Sequence, residues 1–126
     1  RKGLSDYLTS DTPIDELLVR PSRVEHLVLL PGGQRLEHSA EMLSSPRMQE
    51  LVKDMKSRYH SRIIIFDLPP VLSSADALAF SPYVDAALLV VEEGVTQKED
   101  LERAVELLST TNIVGTVLNK AEPKAS

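Results

Sequence analysis

The chain has 126 residues and no cysteine, with 42% hydrophobic side chains, 26% charged side chains and a net charge of −5. That length and balance suit one globular domain spanning residues 1–126, while the acidic excess and the scattered Lys and Arg argue against a nucleic-acid footprint. No apolar run nears the roughly 20 residues that span a bilayer, the start RKGLSDYL has no signal-peptide character, and without cysteine neither a disulfide framework nor thiolate chemistry is available.

In chain order, the stretch from Ser10 to Glu25 has no clear period, and DTPIDELL within it fits a loop or a helical turn. HLVLLPGG predicts a strand over Leu27 to Leu30, closed by a tight loop at Pro31, Gly32 and Gly33. SSPRMQELVKDMKSRYH sets Met48, Leu51, Val52, Met55 and Tyr59 at helical spacing, with Ser45 as N-cap and Pro46 in the first turn. Ile63 to Phe66 is an unalternated apolar run of the kind found in parallel strands covered on both faces. SSADALAF predicts a short helix ending before Pro82, and AALLVV a second doubly covered strand. TQKEDLERAVELLS opens with a Thr96 and Glu99 capping box ahead of an amphipathic helix bearing Leu101, Ala104, Val105 and Leu108, and IVGTVLNK supplies the last strand.

Strand, helix, strand, helix, strand is the βαβ pattern, so the expected class is α/β with a parallel sheet whose carboxyl edge binds the ligand. That edge collects Asp67, Glu92 and Glu93, and Asn119 and Lys120, joined by Gly32 and Gly33 if their strand runs the same way. In RIIIFDLPP an apolar run delivers Asp67 to its own tip, and Pro69 and Pro70 then keep the chain extended. A carboxylate so placed can hold a Mg²⁺-bound water beside a nucleotide phosphate, as a Walker B aspartate does. Equally, an aspartate there can simply cap the loop into SSADALAF.

Other chemistries fit less well. His26, His38 and His60 lack zinc-ligand spacing, and no GxSxG elbow is present. A phosphoacceptor domain of the response-regulator type would use Asp67 and Lys120, but it also needs an acidic pair after its first strand and Ser or Thr after its fourth, and LLPGG and VVEEG supply neither.

GLSDYL, LVLLPGG, SAEMLSSPRMQELV, SRIIIFDLPPVL, VDAALLVVEEGVTQKEDL and VLNK, taken together and in order, resemble the landmarks of the bacterial tyrosine kinases that control capsule and exopolysaccharide export, in particular the exosortase-associated autokinase type. The resemblance covers nearly the whole chain. It implies a three-layer, MinD/ParA-like variant of the P-loop NTPase fold and an ATP-dependent protein-tyrosine autokinase using ATP and Mg²⁺. Asp67 would be the catalytic, metal-supporting Walker B residue, with Asn119 on the adenine and Pro69 beside the nucleotide. Asp76 matches an acidic position of the family, although a solvated helix carboxylate explains it as well. The implied partner is a membrane-embedded chain-length regulator of polysaccharide export. It implies a cytoplasmic location at the inner face of the bacterial membrane and a homo-oligomeric full-length protein.

The sequence also departs from that pattern. Glycine occurs only at positions 3, 32, 33, 94 and 115 and none precedes lysine, so no GxxxxGK[ST] phosphate cradle exists. In the family this motif and a second aspartate motif lie ahead of GLSDYL, so the chain is expected to be the C-terminal half of the catalytic domain, inactive by itself. The family's C-terminal tyrosine cluster is missing too, and Tyr7, Tyr59 and Tyr83 read as core or surface residues. A non-enzymatic interaction module that keeps the fold, or a MinD/ParA-like ATPase, are the alternatives.

Overall fold

Gly3 starts the first helix, α1 (Leu4–Ser10), in the computed structural model, which describes residues 1–58 and 61–123. The Asp6 carboxylate accepts the Gly3 N–H at 2.8 Å, satisfying an orphan donor and placing negative charge where the helix dipole favours it. The next two amides reach outward: Leu4 N–H donates to the Pro31 carbonyl at 2.8 Å and Ser5 N–H to that of Gly32 at 3.0 Å. Buried Ser5 accepts the Gln34 N–H through Oγ at 2.8 Å. A Cβ on Gly3 would collide with the Pro31 carbonyl and stand 2.5 Å from the Gly33 nitrogen. Gly33 has φ 85°, the left-handed region open to glycine. The PGG loop is thus the seat of α1.

The chain divides into two compact units, Arg1–Tyr59 and His60–Ser126. In the first, DTPIDELL forms a helical turn, α2 (Ile14–Leu17), with Leu17 buried. The strand expected over Leu27 to Leu30 is reduced to one antiparallel bridge, in which Val19 and Leu29 exchange both N–H···O bonds at 2.8 Å. Leu27 and Leu29 are exposed, so this run has no buried face to fix a longer ladder. After α3 (Ser39–Leu43), α4 (Pro46–Arg58) buries Met48, Leu51 and Val52 as its spacing requires. Ser45 is its cap, accepting the Met48 N–H at 3.3 Å. Tyr59 and His60 lie outside the described residues. Arg47 ties the start of α4 to the end of α1: Nε–H donates to the Tyr7 carbonyl at 2.7 Å, the guanidinium lies 4.0 Å from the Tyr7 ring centroid, and Nη2 meets Asp11 at 3.0 Å.

In the second unit, α5 (Asp76–Phe80) passes into a 3₁₀ turn (Ser81–Tyr83) that begins just ahead of Pro82. Phe80 is only 1% exposed, with the Phe66 and Tyr83 rings 4.7 and 5.8 Å from its own. Strand β1 (Ala87–Glu92), helix α6 (Lys98–Leu107) and strand β2 (Ile113–Asn119) make the expected βαβ unit, with β1 and β2 parallel and Glu92 in register with Asn119. The architecture is α/β.

Three expectations need correction here. Ile63 to Phe66 has no ladder among the described residues, and Ile63 and Ile65 are 91% and 86% exposed, while Ile64 and Phe66 are half-buried, the latter against Phe80. β1 is not doubly covered either, since Leu88 and Val90 are 54% and 64% exposed. An apolar run records what a strand is suited to bury, and burial still needs a neighbour. The Thr96 and Glu99 capping box does not form. Gln97 holds the N-cap position without a side-chain bond, and Thr96 instead closes the turn after β1, its Oγ1 accepting the Glu92 N–H and its own N–H donating to the Glu92 carbonyl, both at 3.0 Å.

Candidate functional site

The parallel pairing of β1 and β2 puts both carboxyl ends at one edge. The ladder runs one step past β1, where the Glu93 N–H donates to the Asn119 carbonyl at 3.1 Å. Lys120 then turns the chain with φ 56°. Its Nζ returns to Glu92 Oε1 at 3.2 Å, and the Glu122 N–H donates to Glu93 Oε2 at 2.9 Å. Glu92, Glu93, Asn119 and Lys120 therefore meet, as the topology predicted. The carboxylates and the ammonium engage one another or the backbone. The exposed Asn119 carboxamide has no partner among the described residues.

Asp67 is also exposed and has no hydrogen bond or ion pair among the described residues. Its root is anchored by the preceding Phe66 ring on Phe80. Pro69 is exposed, and the chain stays irregular until the Ser73 N–H and Oγ–H bond the Pro70 carbonyl at 3.1 and 3.2 Å. Asp67 thus stands in an irregular segment and does not cap α5, whose first amide, that of Asp76, donates to Ser74 Oγ at 3.1 Å. Gly32 and Gly33 belong to the seat of α1 in the first unit, where Gly32 gives its carbonyl to Ser5 and Gly33 crowds Gly3. The parallel strand on which their place at the edge depended does not form among the described residues. Among the described residues no group of three or more His, Cys, Asp or Glu gathers as a metal cage.

Sequence reasoning missed the role of Thr96 and the tie from Glu93 to Glu122. The EEG string before Thr96 marks a turn, but only the fold shows that the turn grips β2.

No protein-family model matches the sequence. Over 119 residues the chain is 34% identical to the tyrosine-protein kinase YwqD of Bacillus subtilis, covering 93% of this chain and 49% of YwqD. Its fold superposes on the VpsO kinase domain with a TM-score of 0.84 at 28% identity, covering 95% of this chain and 59% of that one. Over nearly its whole length the chain is similar to bacterial tyrosine kinases. Likeness within the wider fold extends to the septum site-determining protein MinD of Synechocystis, 28% identical over 121 residues, which cover 94% of this chain and 44% of MinD. The chain spans about half the length of these two curated relatives. The region that matches includes the apolar run into Asp67 and the paired strand ends at Glu92 and Asn119 of this chain.

Proposed function

We propose that this chain is the C-terminal part of a single catalytic domain of an ATP-dependent protein-tyrosine autokinase that regulates exopolysaccharide or capsule export. The observation that carries the reading is Asp67: in a relative of tyrosine kinases, an exposed carboxylate follows an anchored apolar run and has no structural partner among the described residues.

The donor set suits Mg²⁺ and ATP. Mg²⁺ of this kind keeps several waters and takes one or two carboxylates plus phosphate oxygens, so it needs no all-protein cage. Asp67 would hold it. When bound, Mg²⁺ neutralises phosphate charge as transfer proceeds. Asp67 supplies the negative charge that orients the waters, and Pro69 and Pro70 keep that carboxylate away from backbone amides it would otherwise cap. The Asn119 carboxamide offers one acceptor and two donors, the pattern that pairs with the adenine amino group and a ring nitrogen. The phosphate cradle comes from residues outside these 126, where no GxxxxGK[ST] occurs. The partner is a membrane-embedded chain-length regulator, which would hold a homo-oligomeric kinase at the inner face of the bacterial membrane. No helix among the described residues is long and apolar enough to cross a membrane.

The MinD likeness supports a second reading, an ATPase that releases phosphate without tyrosine transfer. Asp67→Asn in the full-length protein tests the first. It keeps size and removes charge, so autophosphorylation should fall by about 10²-fold or more while the melting temperature stays put. Near-normal autophosphorylation at saturating Mg·ATP would overturn the role of Asp67, and phosphate release without phosphotyrosine in the unaltered protein would favour the ATPase.

A further inference from the structure

Glu92 and Asn119 are in-register partners at the ends of parallel strands, so their side chains project to the same face of the sheet. A carboxylate beside a carboxamide is its natural acceptor. Here that bond is absent: Glu92 Oε1 is instead met by Lys120 Nζ at 3.2 Å, and the Asn119 amide has no partner among the described residues. Lys120 can reach back because its backbone sits in the left-handed region, φ 56°, one residue after the strand ends. The same reversal carries the Glu122 N–H to Glu93, so the two strand ends are tied twice across 28 and 29 residues of sequence.

We infer that Lys120 is a positioning residue for base recognition: by engaging Glu92 it keeps that carboxylate off the Asn119 carboxamide and leaves the amide open to a purine carrying an exocyclic amino group. This rests on the nucleotide-binding reading above. A side chain bent back by a left-handed backbone is not what a merely solvated lysine requires, and left-handed backbone is uncommon for lysine. An exposed ion pair contributes little to stability, and the side chains of Lys120 and Glu92 are 66% and 38% exposed, so a stabilising role alone does not account for the arrangement.

The test compares Mg·ATP with Mg·tripolyphosphate, which lacks the base, by calorimetric titration of the full-length protein, alongside the KM for ATP. Lys120→Met frees Glu92 to capture the amide. Affinity for ATP should fall about tenfold, with KM rising, kcat nearly unchanged, tripolyphosphate binding unmoved and the melting temperature unaltered. Adding Glu92→Ala removes the competing carboxylate, and the double variant should recover ATP affinity to within about threefold of the unaltered protein. A double variant as weak as the single one would reduce the pair to a structural tie and overturn the inference. Equal losses for ATP and tripolyphosphate would make Lys120 a phosphate contact, and unchanged ATP binding in Lys120→Met would also sink the proposal. If the unaltered protein binds tripolyphosphate as tightly as ATP, it is the Asn119 base reading that fails, and the positioning role goes with it.

Discussion

The Pro31–Gly33 loop of the first unit and the Glu92–Thr96 turn of the second are both glycine-punctuated turns after apolar runs, and they use their polar groups in opposite ways. At the first, the carbonyls of Pro31 and Gly32 receive the amides that open α1, and a Cβ on Gly3 has no room. At the second, Gly94 also has positive φ, 76°, yet nothing lies within 4 Å of where its Cβ would be. Beside it the Asn119 amide is unengaged. Crowding marks glycines that the fold needs; open space beside an unengaged polar group marks an edge left for something else.

The sharpest way to break that comparison is a methyl group. Gly3→Ala drives Cβ into backbone atoms of Pro31 and Gly33, which cannot swing aside as a side chain can. It should cost about 3 kcal/mol or more, read from urea denaturation. Gly94→Ala meets only the strain of left-handed backbone, about 1 kcal/mol. Equal midpoints for the two variants would show that the seat of α1 is more pliable than its geometry suggests.

Arg47 extends the contrast, since one face of its guanidinium and two of its nitrogens are engaged within the first unit. Arg47→Met removes a charged donor from an orphan helix carbonyl and a cation over the Tyr7 ring, and should cost about 2 kcal/mol. The Asp11 pair adds little, because Asp11 is 88% exposed. Arg47→Lys should recover less than half, since an ammonium has no planar fork to donate and stack together. Asn119→Ala should do the reverse of these changes: KM for ATP rises about tenfold in the full-length protein, with no movement of the denaturation midpoint.

What the sequence carried was the part written in local chemistry. Ser45 and Pro46 announced α4, the spacing of Met48, Leu51 and Val52 gave its buried face, and the alternation of AALLVV, a helix and IVGTVLN gave the parallel pair. The strand expected at Ile63 to Phe66 was misread for a physical reason: a ladder is a property of two segments, and periodicity reports only one. The condition set on Gly32 and Gly33, a strand parallel to the others, was not met, because a tight loop looks alike whether it cradles a ligand or the start of a helix. Thr96 satisfied the pattern of a capping box, but a hydroxyl bonds the nearest unsatisfied amide, and that was Glu92. Helix α1 was missed outright, since its first-turn amides are satisfied by a loop some 30 residues away. The edge residues Glu92, Glu93, Asn119 and Lys120 were legible because topology alone assembles them; that Lys120 turns back on Glu92 was not.

The smallest effect concerns Ser45, where two bonds share one hydroxyl. Ser45 Oγ accepts the Met48 N–H at 3.3 Å and donates to the Met42 carbonyl at 2.6 Å. Loss of both in Ser45→Ala should cost about 1 kcal/mol, the ordinary value for an N-cap, shifting the urea midpoint without altering nucleotide-dependent activity. The two bonds differ in length, so the short one to Met42 could carry the effect even though the sequence pattern points to the cap. Ser45→Asp separates them: a carboxylate accepts the Met48 amide well and favours the positive end of α4, but has no proton to give Met42 and sets a charge beside that carbonyl. If capping dominates, Ser45→Asp should match or slightly exceed the stability of the unaltered protein while Ser45→Ala falls below it. Should Ser45→Asp prove less stable than Ser45→Ala, the hydroxyl's main task is to close the turn from α3, and the cap that made α4 legible would be the lesser of its two bonds.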